Sequence, residues 1–141
     1  MSDELSELLI EVFRVNGLAL AAGDVLAKPA GLSSARWQIL GVVDHAPTPV
    51  SDIARTMGLA RQSVQQTADA LENEGFVLSK PNPNHARAKF IVITPKGRKA
   101  LRQVERRHQS WVKKLSKRLE AKAVTKTLHT LRELVTALEH P

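Results

Sequence analysis

The chain has 141 residues, enough for one ordinary domain and too few for two full ones. It carries 21 Lys/Arg against 14 Asp/Glu, a formal charge of +7, and no cysteine, which excludes disulfides, thiolate metal sites and thiol redox sensing and suits a reducing cytoplasm. The acidic start Met-Ser-Asp-Glu fits neither a signal peptide nor a membrane-seeking basic helix, no apolar run approaches the ~18 residues of a membrane span, and scarce aromatics with no Tyr argue against base stacking on single strands.

Charge is unevenly placed. Residues 1–50 hold three Lys/Arg and six Asp/Glu, whereas residues 51–141 hold eighteen and eight. The basic part is suited to displacing counterions from phosphates, although ribosomal and membrane-surface proteins share such a balance.

The first element expected is a long amphipathic helix over about residues 4–27, with Leu5, Leu8, Leu9, Val12, Phe13, Ala19, Ala22 and Leu26 on its apolar face. Lys28-Pro29 and Gly31 end it, because the residue before a proline is pushed out of the helical region. Gly17 and Gly23 weaken its interior and mark either a bend or the close approach of a partner backbone. Ser33 is the expected N-cap of a second helix, with Leu32 and Trp37 forming a hydrophobic staple; Trp37, Leu40 and Val43 point inward, and the helix stops near His45-Ala46-Pro47.

A helix-turn-helix pattern follows. In its first half Ile53, Ala54 and Met57 make one apolar face, Thr48 is a plausible N-cap, Pro49 suits the first helical position, and Gly58 supplies the left-handed turn. The second helix, 61–74, buries Val64, Ala68 and Leu71 at i, i+4, i+7. Its opposite face carries Gln62, Ser63, Gln65, Gln66, Asp69 and Asn73, with Arg61 at the flank. Such a helix reads bases with its first residues, and Gln pairs both major-groove groups of adenine. A merely solvated face would show the same residues. What decides between the two is the next segment: Phe76 to Lys80, a loop from Pro81 to Lys89, and Phe90 to Ile93 predict a hairpin with Arg87 and Lys89 at or near its tip. A basic hairpin after a helix-turn-helix is a wing, suited to lie along a phosphate backbone and push a cation into the minor groove.

With "VSDIARTMGLARQSVQQTADALENEGFV" and "KPNPNHARAKFIVITPKGRKAL" in this order and spacing, about 50 residues including the Thr-Pro-Lys-Gly exit from the wing, the sequence resembles the MarR family of bacterial transcription regulators. The outer helices fit that layout more loosely. The wing departs from it: family wings commonly carry an acidic residue close before a pair of arginines, where this chain has Asn84, His85 and Ala86 before Arg87. Fewer charge contacts from the wing are expected as a result.

Beyond the wing, Thr94 and Pro95 open a long helix in which Leu101, Val104, His108, Trp111 and Leu115 recur at steps of three and four, the seam of a coiled-coil-like contact. Twelve of the 21 Lys/Arg lie between Lys96 and Lys126, against two acids, Glu105 and Glu120. A last helix carries Val124, Leu128, Leu131, Val135 and Leu138 on one face. The lobe between the terminal helices is too small to cover all these stripes, so they are expected to pack on a second copy in a symmetric dimer; a monomeric bundle laid over the lobe is the alternative. The resemblance implies dimerisation through the terminal helices as well.

The fold class expected is therefore mainly α with a small β-hairpin wing (α+β): one domain over 1–141, its winged helix-turn-helix lobe at about 33–94 and its dimerisation helices at about 4–27 and 95–139. The function expected is sequence-specific binding of double-stranded DNA by a cytoplasmic homodimer, on a pseudo-palindrome whose half-sites lie about 34 Å apart. Candidate base contacts are Gln62, Ser63, Gln65 and Gln66, candidate phosphate contacts Arg55 and Arg61, and candidate wing contacts Arg87 and Lys89. The resemblance further implies repression more often than activation, and release by a small aromatic or phenolic effector entering a crevice that Phe13, Arg36, Trp37, His45 and Trp111 are candidates to line. Plain core is the competing reading for Trp37 and Trp111, and a satisfied core histidine for His108. The five His show no metal-ligand spacing, and no GxSxG, P-loop or GxGxxG occurs, so neither catalytic centre, metal nor cofactor is expected. The rival function is a winged helix used only for protein contact, docking an acidic partner through the basic helix.

Overall fold

A computed structural model describes residues 2–141, and for residues 2 and 85–87 the backbone alone. The chain forms two compact units, one ending at Arg106 and the other Arg107–Pro141.

The first unit opens with helix α1 (Ser2–Ala27), which runs unbroken through both glycines. No heavy atom comes within 4 Å of a Cβ added at Gly17, whereas Gly23 sits against Ser34, so its smallness serves the close approach of helix α2 (Ser34–His45). A single 3₁₀ turn, Lys28–Ala30, separates the two helices at the predicted proline. Ser33 caps α2 as expected, its Oγ accepting from the Arg36 N–H at 3.2 Å, and Ile39 joins Leu40 and Val43 among its buried residues.

Helix α3 (Val50–Met57) starts one residue later than its N-cap signal suggested, with Pro49 in the N-cap position. Thr48 does not cap it: the Thr48 hydroxyl donates to the Ala46 carbonyl at 2.7 Å, and Thr48–Pro49 form a short strand, β1, paired antiparallel to a later one. Gly58 takes φ +67° and closes α3 by returning its N–H to the Ala54 and Arg55 carbonyls, as a left-handed C-cap does. Helix α4 (Arg61–Asn73) buries Val64, Ala68 and Leu71 and shows the amide face to solvent.

The wing is longer in strand and tighter in turn than the sequence suggested. Strands β2 (Val77–Asn82) and β3 (His85–Ile93) leave only Pro83 and Asn84 between them, with the Asn84 N–H bonded to Asn82 Oδ1 at 3.0 Å. Lys89, and the backbone of Arg87, therefore belong to strand β3, five and three residues past Asn84 of the turn. The sheet order is β1-β3-β2, which makes β2 an edge strand; Pro81 is tolerated there beside a register shift between Lys80 and Asn82.

Helix α5 (Pro95–Ser116) is capped by Thr94, whose Oγ1 accepts the Gly97 N–H at 3.1 Å. Leu101 and Val104, the first two members of the predicted seam, are buried in the same core as Ile39, Leu40, Ile53, Val64, Leu71 and Val77. That half of the stripe closes the lobe and is not available to a second copy. Asp44 at the end of α2 receives Arg98 at 2.8 Å and Arg102 at 3.0 Å, and Arg102 also bonds Glu105. The Asp44 bond, then the Glu105 bond, raise the Arg102 pKa above its ordinary value, and the same bonds clasp α2 to α5.

In the second unit the rest of α5 leads to α6 (Ala121–Glu139), in which no residue is buried. On the α5 part of this unit His108 and Trp111 meet with their rings tilted by 35° and their centroids 5.9 Å apart. Leu115, Val124, Leu128, Val135 and Leu138 are exposed.

Candidate nucleic-acid interface

The apolar stripe of α4 fixes the orientation of everything opposite to it. With Val64, Ala68 and Leu71 inside, Arg61, Gln62, Ser63, Gln65, Gln66, Asp69 and Asn73 are all exposed. Gln65 Nε2 donates to Asp69 Oδ1 at 2.8 Å, one turn on, which holds its amide along the helix. Gln62 and Gln66 have no such intrahelical bond among the described contacts. Ala60 is the N-cap and gives no side-chain bond, and the first turn holds no acid, so the leading N–H groups of α4 remain suited to an anion.

The start of α4 and the wing share one concave surface. A crevice of about 440 Å³ is lined by Arg61, Gln62 and Gln65 of α4, by Ser51 of α3, and by Ser79 and Lys89 of the wing, over a floor that includes Val50 and Ile91. Two cations, two amides and two hydroxyls thus face the same opening, a composition suited to phosphate and base edges together. Arg55 is exposed on α3 and carries an i,i+3 pair with Asp52 at 3.1 Å; a surface pair of this kind is weak enough for a phosphate to displace. The Arg87 side chain lies outside the described residues.

Sequence reasoning missed what aligns the wing with α4. Glu72, on the α4 flank, accepts from the Ser79 backbone N–H at 2.7 Å and from its hydroxyl at 3.1 Å. The pair is seven residues apart, and only the fold brings it together.

The candidate ligand-pocket residues do not gather around that crevice. Phe13 is 76% exposed on α1, and His45 is exposed at the end of α2. Trp37 packs half-buried against the core. Arg36 is engaged by Glu74 at 2.6 Å, so a carboxylate ligand would have to displace that partner. Trp111 belongs to the second compact unit. No group of three or more His, Asp or Glu among the described residues is placed to hold a metal ion, and no helix described is long and apolar enough to cross a membrane.

The family model described as MarR family matches residues 30–88, the stretch from the end of the 3₁₀ turn through the wing. An uncharacterised protein of Mycobacterium tuberculosis is 34% identical over 139 residues, covering 99% of this chain and 97% of that protein. Among solved structures, the transcriptional regulator BldR of Sulfolobus solfataricus superposes with a TM-score of 0.87 at 21% identity, covering 96% of each chain. A MarR family transcriptional regulator of Rhodococcus sp. RHA1 gives 0.80 at 25% identity, covering 95% of this chain and 94% of its own.

Proposed function

The chain belongs to the MarR family of winged-helix, DNA-binding transcription regulators, and from that membership we propose that it acts as a homodimeric repressor on a pseudo-palindromic operator. The observation that carries this reading is the shared surface of α4 and the wing: Arg61, Gln62, Gln65 and Lys89 face one opening while Ser63 and Gln66 stand exposed beside them. In the proposal Gln62, Ser63, Gln65 and Gln66 read base edges in the major groove. Arg55 and Arg61 hold phosphates, and Lys89, with Arg87 on the same strand, supplies the wing's cations.

Dimerisation has its support in the exposed apolar side chains of α1 and α6. Patches of that kind on a soluble chain mark contact surfaces. Two recognition helices then enter successive major grooves about one helical turn apart. Release by a small aromatic or phenolic effector is part of the same proposal. Trp37 is its best-supported lining residue, because it is aromatic and only half-buried at the base of α1 and α2.

Titration of the purified protein with random duplex and with its own promoter, at physiological salt, tests the reading. A preference for the promoter of at least about a thousandfold is expected; equal binding to both, or none, would leave a protein-docking module in its place. Two substitutions separate the roles. Lys89→Ala is expected to weaken all duplexes alike and to lower the slope of log affinity against log salt by about one. Gln66→Ala should change which base is preferred at one operator position, a discrimination of about 1–3 kcal/mol; uniform weakening would remove Gln66 from base reading.

A further inference from the structure

From Ile10 to Ala21 every residue of α1 is exposed, so the helix leaves the lobe as a free-standing arm. Ala27, buried in the core, anchors its C-terminal end, and a polar joint lies one turn before it. Ser34, the first residue of α2, is 5% exposed and is the one buried polar side chain among the described residues. Its hydroxyl donates to the Leu20 carbonyl at 2.7 Å, and its backbone N–H donates to Asp24 Oδ1 at 2.8 Å. Gly23 lies between these two partners, and a Cβ there would fall 2.1 Å from Ser34 Oγ and 3.3 Å from Ser34 Cβ. The two bonds fix α2 to Leu20 and Asp24, one turn apart on α1, and the missing side chain at Gly23 lets the backbones close on each other.

We infer that the Gly23–Ser34 joint sets the angle of the α1 arm to the DNA-binding lobe, and thereby the half-site spacing that the protein accepts in its operator. The inference rests on the proposed dimer through the terminal helices. Geometry gives the joint its leverage. Some 18 residues of helix beyond Leu20 make an arm of about 27 Å, so a tilt of roughly 10° at Ser34 moves the far end by about 5 Å, more than the ~3.4 Å rise of one base step. In a dimer joined through its arms, such a tilt changes the separation of the two α4 helices. Gly23, Asp24 and Ser34 are thus positioning residues for recognition, although none faces the DNA-contacting surface.

The test uses the full-length protein, its half-site as found by selection from random duplex, and a panel of duplexes in which two such half-sites are separated by spacers differing one base pair at a time. The wild type is expected to favour one spacing over its neighbours by at least roughly tenfold. Gly23→Ala wedges the joint and should move the optimum or flatten the profile to within about threefold. Ser34→Gly in the Gly23→Ala background removes both clashing atoms but also the bond to Leu20, so it should relieve the wedge and give the same spacing profile as Ser34→Ala alone. Ser34→Ala, which loses the bond to Leu20 without adding bulk, should flatten the profile and decides the matter should Gly23→Ala fail to fold. A folded, dimeric Gly23→Ala with the wild-type spacing profile overturns the inference. A wild-type protein that sediments as a monomer on operator DNA instead overturns the dimer, and the spacing inference falls with it.

Discussion

Gly97→Ala is expected to destabilise the fold by about 3 kcal/mol and to lower the thermal midpoint by roughly 10 °C. The start of α5 is tied to the end of α4 and the start of the wing. Thr94 donates its hydroxyl to the Gly75 carbonyl at 2.7 Å and accepts the Gly97 N–H. The Thr94 N–H reaches the Phe76 carbonyl at 3.1 Å, and Lys96 bonds the Glu74 carbonyl at 2.6 Å while lying over the Phe76 ring at 4.7 Å. A methyl group at position 97 would sit 2.1 Å from that Phe76 carbonyl oxygen and 3.0 Å from Ile93 Cγ1. The nearest obstacle is backbone, held by the bonds just named, and cannot swing aside as the end of a flexible side chain would. Alanine's better helix propensity returns about 1 kcal/mol at most, so the clash wins. Gly41→Ala in α2 is the control, because nothing lies within 4 Å of a Cβ there and the propensity gain acts alone. Denaturant midpoints should therefore move in opposite directions for the two variants. A shift of the same sign at both positions would dismiss the account given for Gly97.

The contrast shows what the sequence carried. The Thr-Pro-Lys-Gly exit was legible as a cap and helix start, since capping is decided by neighbours within four residues. That its glycine admits a carbonyl from Phe76 was not legible, because the contact spans 21 positions. The buried stripe and exposed amides of α4 were readable from a single 3.6-residue period, and the family resemblance covered the same stretch. Periodicity makes the seam of α5 one surface, because it says which side chains share a face and is silent on what covers them. Leu101 and Val104 went to the lobe's own core, while Leu115 stayed exposed. By sequence Pro81 ends a strand; on the edge strand β2 it costs no ladder bond that the sheet needs, so the wing extends past it to Pro83 and Asn84. The Glu72–Ser79, Asp44–Arg102 and Gly23–Ser34 contacts had no local signature, and they are what orient the wing, α5 and α1.

Phe13→Glu is expected to weaken self-association by about a hundredfold or more, and operator affinity with it. The lobe can fold without help from α1's first half, because its core is assembled from α2, α3, α4, the sheet and the start of α5, with only Ala27 from α1. Phe13 is three-quarters exposed and touches none of that core, so the substitution should leave the thermal midpoint of the lobe nearly unchanged. Its effect falls on the arm. In the proposed dimer the Phe13 ring is covered by the second copy, and a carboxylate in its place would be buried without a partner, a penalty of about 3–5 kcal/mol, which is two to three and a half decades in the dissociation constant. A monomer engages one half-site and loses the second set of phosphate and base contacts, so operator binding drops towards the non-specific level, at least about a thousandfold weaker. Sedimentation and operator titration measured on the same sample separate the steps. Loss of both in parallel supports an α1-mediated dimer, and an intact dimer with weakened binding would place Phe13 at the DNA or at a ligand instead. Unchanged values for both would mean that the exposed face of α1 is covered by nothing, and the homodimer would have to be sought through α6 alone, where Val135→Glu makes the same measurement.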